Sequence, residues 1–167
     1  MYPRVFGDAR GAFFESFSAR VFEQAGVSHE WVQDNQSSSA CGVLRGLHFQ
    51  RPPHAQAKLV RVAQGRALDV IVDLRRESTT YGQHLVVELN AHRYNTLYVP
   101  IGFAHGFVAL EDNTLFLYKC SDYYQPSAEG GLRWDDPTLK IDWGIDSPTV
   151  SDKDQILPSL EGFESPF

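Results

Sequence analysis

The sequence has little cysteine. Cys41 and Cys120 are the only two, and they form neither a CxxC nor any metal-ligand spacing. Two thiols are too few for the disulfide framework of a small secreted domain, so a reducing cytoplasm is the expected compartment. No apolar run approaches the ~18 residues needed to span a bilayer, and the opening MYPRVFGDARGAFFESF lacks the basic start and apolar stretch of a secretion signal. Positive charge is also short: 15 Lys and Arg against 21 Asp and Glu leave a net charge of −6. That balance argues against nucleic acid and against a membrane surface as partners, and any phosphate bound must be held by a local cluster of Arg and Lys. Repeats, charge blocks and low-complexity tracts are absent, and 167 residues fit one domain over 1–167.

What the chain does have is aromatic and β-branched residues. Eleven Phe and seven Tyr lean toward sheet. Seven short β runs separated by turn formers occupy the middle of the chain: VLRGLHFQ, AKLVRVAQ, RALDVIVDL, QHLVVELN, YNTLYVP, GFVAL and TLFLYKC. Short strands with no intervening helices predict an all-β sandwich, jelly roll or barrel, its core over about residues 29–120. One short helix is expected before it, with Ser18 as cap, Val21, Phe22 and Ala25 as an apolar stripe and Gly26 as the stop. The polar, Pro-rich stretch over about 121–167 is expected to wrap the barrel irregularly and to lend residues to a pocket mouth.

Three segments carry residues suited to chemistry. In RGLHFQ, strand alternation would put Arg45 and His48 on opposite faces, but Gly46 has room for a bulge that turns both into one cavity. In TLFLYKC, Phe116, Tyr118 and Cys120 share a face, and a phenol in an apolar barrel needs a partner for its hydroxyl. In SDKDQILP, Asp154 is suited to orient a histidine by accepting its Nδ1 proton. Lys58, Arg61, Arg45 and Arg10 are candidates for the local cation cluster. Each has a plainer alternative: a packed or surface histidine, a packing tyrosine, a turn aspartate, solvated strand cations.

VPIGFAHGF contains Pro-x-Gly-x-x-His at Pro100, Gly102 and His105, which resembles the second half of the cupin signature. Metal-binding cupins pair it with His-x-His and a downstream Glu. Here the matching place reads His48-Phe49-Gln50, so no metal and no other cofactor is expected, and acid-base chemistry takes its place.

The segments FGDARGAFFESF, VQDNQS, VLRGLHFQ, AQAKLVR, DVIVDLR, VPIGFAHGF, FLYK and SDKD occur in the order found in the dTDP-4-dehydrorhamnose 3,5-epimerase family, which the chain closely resembles from about Pro3 to about Leu160. The resemblance implies a metal-independent cupin homodimer of the cytoplasm. Its implied reaction epimerises dTDP-4-dehydro-6-deoxy-D-glucose at C3 and C5, in dTDP-L-rhamnose biosynthesis. Carried over by motif, the catalytic residues are His48 as base, Tyr118 as acid, Asp154 to orient His48, and Lys58 to stabilise charge on the C4 oxygen. Ala57 stands where the family usually has Gly. The substrate-binding positions fall on Arg10, Phe13, Glu15, Gln33, Asn35, Arg45, His105 and Tyr123. Family members generally carry an extra strand or so before the segment that here reads VFGDARG. With the chain starting at Met1, the resemblance implies either a shortened start or an altered dimer edge, because that strand is usually exchanged between subunits. Three other readings stay open on sequence: a C3-only or C5-only epimerase, a sugar 3,4-ketoisomerase, and a binding module without catalysis. The intact His48, Tyr118 and Asp154 favour an epimerase over the ketoisomerase and the binding module, and product analysis separates the single-site epimerases from the 3,5-epimerase.

Overall fold

The structure, a computed structural model, describes residues 1–167. A hairpin of β1 (Val5–Asp8) and β2 (Gly11–Phe14) is followed by helix α1 (Ala19–Gln24). The barrel strands are β3 (Gln33–Ser39), β4 (Val43–Gln50), β5 (Lys58–Gln64), β6 (Arg66–Asp73), β7 (His84–Asn90), β8 (Thr96–Val99), β9 (Phe103–Ala109) and β10 (Thr114–Cys120). The tail adds β11 (Glu129–Gly131), β12 (Thr149–Val150) and a one-turn helix α2 (Asp152–Gln155). One sheet runs β3-β10-β5-β8. The other runs β11-β4-β9-β6-β7, with β12 alongside β4. This is the all-β jelly roll expected, with two short helices at its edge.

Alternation along the strands sorts the core into two layers. In β6, Leu68, Val70 and Val72 face outward from the second sheet, where Leu132, Leu139 and Trp143 of the tail cover them. Ala67 and Ile71 face inward and pack with Val60, Phe107 and Phe116 between the sheets. With both faces covered, β6 reads as a near-continuous apolar run rather than an alternating one. The tail therefore supplies half of a core, and its irregular backbone is held by that packing.

The sequence reading differs from the structure in four places, the first being the tail, expected to be irregular, whose β11 and β12 both pair with β4. QDNQSSS forms β3, a strand that composition conceals because its residues are polar on both faces. Gln33, Asn35, Ser37 and Ser39 are partly or fully buried while the residues between them are exposed. The N-terminal hairpin was not among the strands expected. Helix α1 is present, but the Ser18 side chain makes no capping bond and only Phe22 is buried, with Val21 51% exposed. Six residues are too few to sustain an apolar stripe, and the helix is held by one ring against Phe17, Trp31 and Leu59.

Between Arg45 and His48 the register of β4 on β9 shifts, the bulge for which Gly46 has room. Arg45 and His48 both line the interior, while Leu44, Leu47 and Phe49 join the outer layer. The shift depends on two glycines. A Cβ on Gly46 would stand 2.5 Å from the Gly106 Cα, and Gly46 itself sits at φ 132°. At the far end of β6, Asp73 is buried and accepts hydrogen bonds from Arg75, Ser78 and Thr80, tying down the following loop. Burial works to raise its pKa, but these bonds outweigh it and hold the carboxyl far below the ordinary carboxylate range.

Two outcomes follow. Gly46→Ala is expected to cost about 3 kcal/mol in urea unfolding, because positive φ and backbone overlap act together. A cost below about 0.5 kcal/mol would show that the contact is slack. Asp73 has a depressed native pKa, so its contribution is complete above the unfolded value of about 3.9 and is lost as the pH falls toward the native one. Asp73→Asn is therefore expected to lower the melting temperature at pH 7 and to flatten its fall below about pH 4. An unchanged acid limb in the variant would contradict this.

Candidate active site

The barrel interior opens into two adjoining cavities of about 500 and 320 Å³. His48, Lys58 and Tyr118 line both and mark their junction. Each comes from a different strand: His48 from β4 after the bulge, Lys58 from the first position of β5, and Tyr118 from β10, two residues beyond the core residue Phe116.

Asp154, the buried residue of α2, accepts a hydrogen bond from His48 Nε2 at 2.6 Å. Its second oxygen accepts from the Gly46 N–H at 3.2 Å. Burial works to raise its pKa, but the bond and charge of His48 together with the Gly46 N–H outweigh this and keep it below the usual carboxylate range. An ionised carboxylate only accepts, so Nε2 carries the proton and the neutral imidazole presents Nδ1 as its free lone pair. The sequence reading placed Asp154 on Nδ1. The correction follows from the approach of α2, whose carboxylate reaches the outer nitrogen of the ring.

A second histidine-carboxylate pair lies beside the first. His105 is the cross-strand neighbour of His48, and its Nε2 stands 2.9 and 3.1 Å from the two oxygens of Asp69. Both are buried. Burial pushes the Asp69 carboxyl up, against the opposing pull of His105 and Lys58. Asp69 was not among the expected site residues. The available signal was an acidic residue inside the apolar run ALDVIV, which demands a buried partner.

Lys58 takes part in no ion pair. Desolvation lowers its pKa against the pull of Cys120, Asp69 and Glu129. Its Nζ lies 5.8 Å from the centre of the Tyr118 ring. The Tyr118 hydroxyl is raised by burial and by Cys120, with Arg45 opposing, so it keeps its proton at neutral pH. The site thus offers an imidazole fixed by a carboxylate, a lysine without a carboxylate partner and a protonated phenol. That set can remove a proton from carbon, hold the resulting oxyanion and return a proton. No group of three or more His, Cys, Asp or Glu side chains is gathered to hold a metal ion.

Of the remaining expected residues, Arg45 lines the larger cavity, its Nε 3.3 Å from Ser39 Oγ, and Gln33 and Asn35 line the smaller. Tyr123 is exposed and lines neither cavity, its carbonyl accepting from Gln50. Arg61 faces a different groove, with Phe17, Asp34 and Lys119, and does not join the cation cluster. Alternation along β5 puts it on the outer face, one residue out of phase with Lys58, Val60 and Val62. Arg10 and Phe13 lie on the hairpin, outside both cavities, with Arg10 paired to Asp8. Glu15 lies near Met1 and Tyr2. Ser37, Tyr124, Glu129 and Lys153 line the cavities although the sequence reading did not single them out. Glu129 accepts from Lys153 and Tyr124, closing the rim.

The sequence model described as dTDP-4-dehydrorhamnose 3,5-epimerase matches residues 1–162. The dTDP-4-dehydrorhamnose 3,5-epimerase of Salmonella typhimurium is 50% identical over 161 residues, covering 95% of this chain and 88% of that protein. Among solved structures, the Bacillus anthracis dTDP-4-dehydrorhamnose 3,5-epimerase with TDP and PPi bound superposes with a TM-score of 0.94 at 50% identity, covering 95% of this chain and 91% of that one. The Legionella pneumophila dTDP-6-deoxy-D-glucose-3,5-epimerase in complex with dTDP-4-keto-L-rhamnose superposes at 0.93 with 42% identity, covering 98% and 87%. With identity at this level along nearly its whole length, the chain belongs to the dTDP-4-dehydrorhamnose 3,5-epimerase family.

Proposed function

We propose that the chain converts dTDP-4-dehydro-6-deoxy-D-glucose to dTDP-4-dehydro-L-rhamnose by inverting C3 and C5, in the cytoplasm and as part of dTDP-L-rhamnose biosynthesis. The observation that carries this is the meeting of His48, Lys58 and Tyr118 at one junction, with Asp154 on the far nitrogen of His48. The C4 ketone acidifies the C–H bonds on either side of it. His48 Nδ1 takes the proton from one carbon, and the electron pair moves onto the C4 oxygen as an enolate beside the Lys58 ammonium. Tyr118 then delivers its phenolic proton to the opposite face of that carbon. Solvent reprotonates the phenolate and takes the proton from the imidazolium, so no oxidant or reductant is needed. Asp154 holds one tautomer and stabilises the imidazolium. Arg45 is suited to the diphosphate, with Gln33, Asn35, His105 and Tyr123 around the nucleotide sugar. The ketoisomerase, single-carbon and binding-module readings find less support, since the family match and the relatives reported above carry the 3,5-epimerase name.

The active unit in this proposal is a homodimer. The hairpin β1–β2 pairs with no other strand, and it exposes Phe6 by 51% and Phe13 by 71%. A lone two-stranded ribbon is marginal in water, and paired exposed rings mark a contact surface. Laid on a second copy, the hairpin would bring Arg10, Phe13 and Glu15 to the partner's cavity.

In D2O, proton NMR of the sugar is expected to show deuterium entering at both C3 and C5. Exchange at one carbon would identify a single-site epimerase, and exchange at neither would overturn the reading. His48→Ala is expected to lower kcat about 10³-fold or more while substrate still binds; retained turnover would remove His48 as base. Because desolvation lowers the Lys58 pKa, activity is expected to fall at a pH below the ordinary lysine range of about 10.4, as the ammonium is lost. In Lys58→Met kcat is expected to fall by about 10²-fold or more and that alkaline limb to vanish; a wild-type limb in the variant would contradict this. Mixing His48→Ala with Arg10→Ala protein should restore about a quarter of the sites, since each mixed dimer holds one intact site. No recovery on mixing would place Arg10 outside the partner's site.

A further inference from the structure

The inward face of β3 is a ladder of polar side chains along the cavity wall, and all but one have partners. Gln33 donates to Asn35 and accepts from the Tyr124 N–H. Asn35 donates to Cys120, and Ser39 accepts from Arg45. Ser37 Oγ alone is closed off from solvent with no hydrogen-bond partner, the only buried side-chain polar atom in that condition. A buried hydroxyl left unmatched is unfavourable, and nothing in the packing requires it. Phe116 lies opposite in the sheet, so alanine would fill the position as well.

The residue itself is only partly buried and lines the larger cavity. Rotation about χ1 exchanges one staggered position of the hydroxyl for another, and here that rotation breaks no protein hydrogen bond. We infer that Ser37 is a specificity-determining residue that turns its hydroxyl into the cavity and bonds the C2 hydroxyl of the substrate sugar. This rests on the sugar-nucleotide reading above and extends it to a position that the chemistry does not touch.

Register identifies the sugar atom. Asn35 stands opposite Tyr118, Ser37 opposite Phe116 and Ser39 opposite Thr114, with Ser39 bonded to Arg45. Ser37 is thus one step of roughly 7 Å from the level of the phenol and one step from the residue that holds the guanidinium. If Tyr118 serves the reacting carbons and Arg45 the diphosphate, Ser37 serves what joins them. In a hexose linked to phosphate through C1 and carrying its ketone at C4, the atom between C1 and the reacting C3 is C2, and its substituent is a hydroxyl.

The test is calorimetric titration of wild type, Ser37→Ala and Ser37→Thr with dTDP, dTDP-glucose and dTDP-2-deoxyglucose, together with melting of each protein alone. Wild type is expected to bind dTDP-glucose about tenfold more tightly than its 2-deoxy analogue, a difference of about 1.4 kcal/mol. Ser37→Ala should bind the two sugars equally, bind dTDP as wild type does, and melt no lower, because no protein hydrogen bond is removed. Ser37→Thr, which keeps a hydroxyl, should keep the preference. A preference retained in Ser37→Ala, or a matching loss of dTDP affinity, would overturn the inference. Wild type that binds neither dTDP nor dTDP-glucose would overturn the sugar-nucleotide reading, and the inference with it.

Discussion

The contact of Gly46 with Gly106 decides what the barrel contains. Regular alternation along β4 would send His48 outward into the apolar layer beneath the tail and leave Leu47 facing the cavity. The bulge adds one residue to the phase, so that Arg45 and His48 both face in while Leu47 and Phe49 face out. The same turn of backbone presents the Gly46 N–H to Asp154, so the residue that allows the bulge also helps to hold the carboxylate. Fold and site share this constraint: a side chain at either glycine separates two central strands and moves the base.

The cavity also holds basic groups that no carboxylate pairs. The surface is acidic, and most interior ionisable groups have a local partner: His48 with Asp154, His105 with Asp69, Glu129 with Lys153. In the same cavity Arg45 bonds only Ser39, and Lys58 is desolvated and without a carboxylate partner. An oxyanion formed next to it meets a cation that no other group has claimed, in surroundings of low dielectric where the interaction is strong. Burial also keeps the Tyr118 proton in place at neutral pH.

Much of this was legible in the residues. The β runs, the turn formers between them, the room for a bulge at Gly46 and the turn that launches His105 from Pro100 and Gly102 all follow from local rules of chain geometry. Other features were hidden for physical reasons. The strand β3 is polar on both faces because it lines a wet cavity, so no hydrophobic period betrays it. Gln33 and Asn35 were reached only through the family resemblance, and Ser37 not at all. Arg61 was misplaced because proximity in sequence to Lys58 does not survive alternation on a strand. The nitrogen on which Asp154 acts depends on the approach of a tail element more than a hundred residues away, which no local pattern encodes.

Proton removal depends on which nitrogen of His48 is free. Selective ¹⁵N labelling of histidine, with His48→Ala to identify its signals, reads the tautomer directly by NMR. The neutral His48 ring is expected to be protonated at Nε2 and bare at Nδ1, with that preference lost in Asp154→Ala. A ring protonated at Nδ1 would leave no base facing the substrate and would contradict the mechanism at its first step.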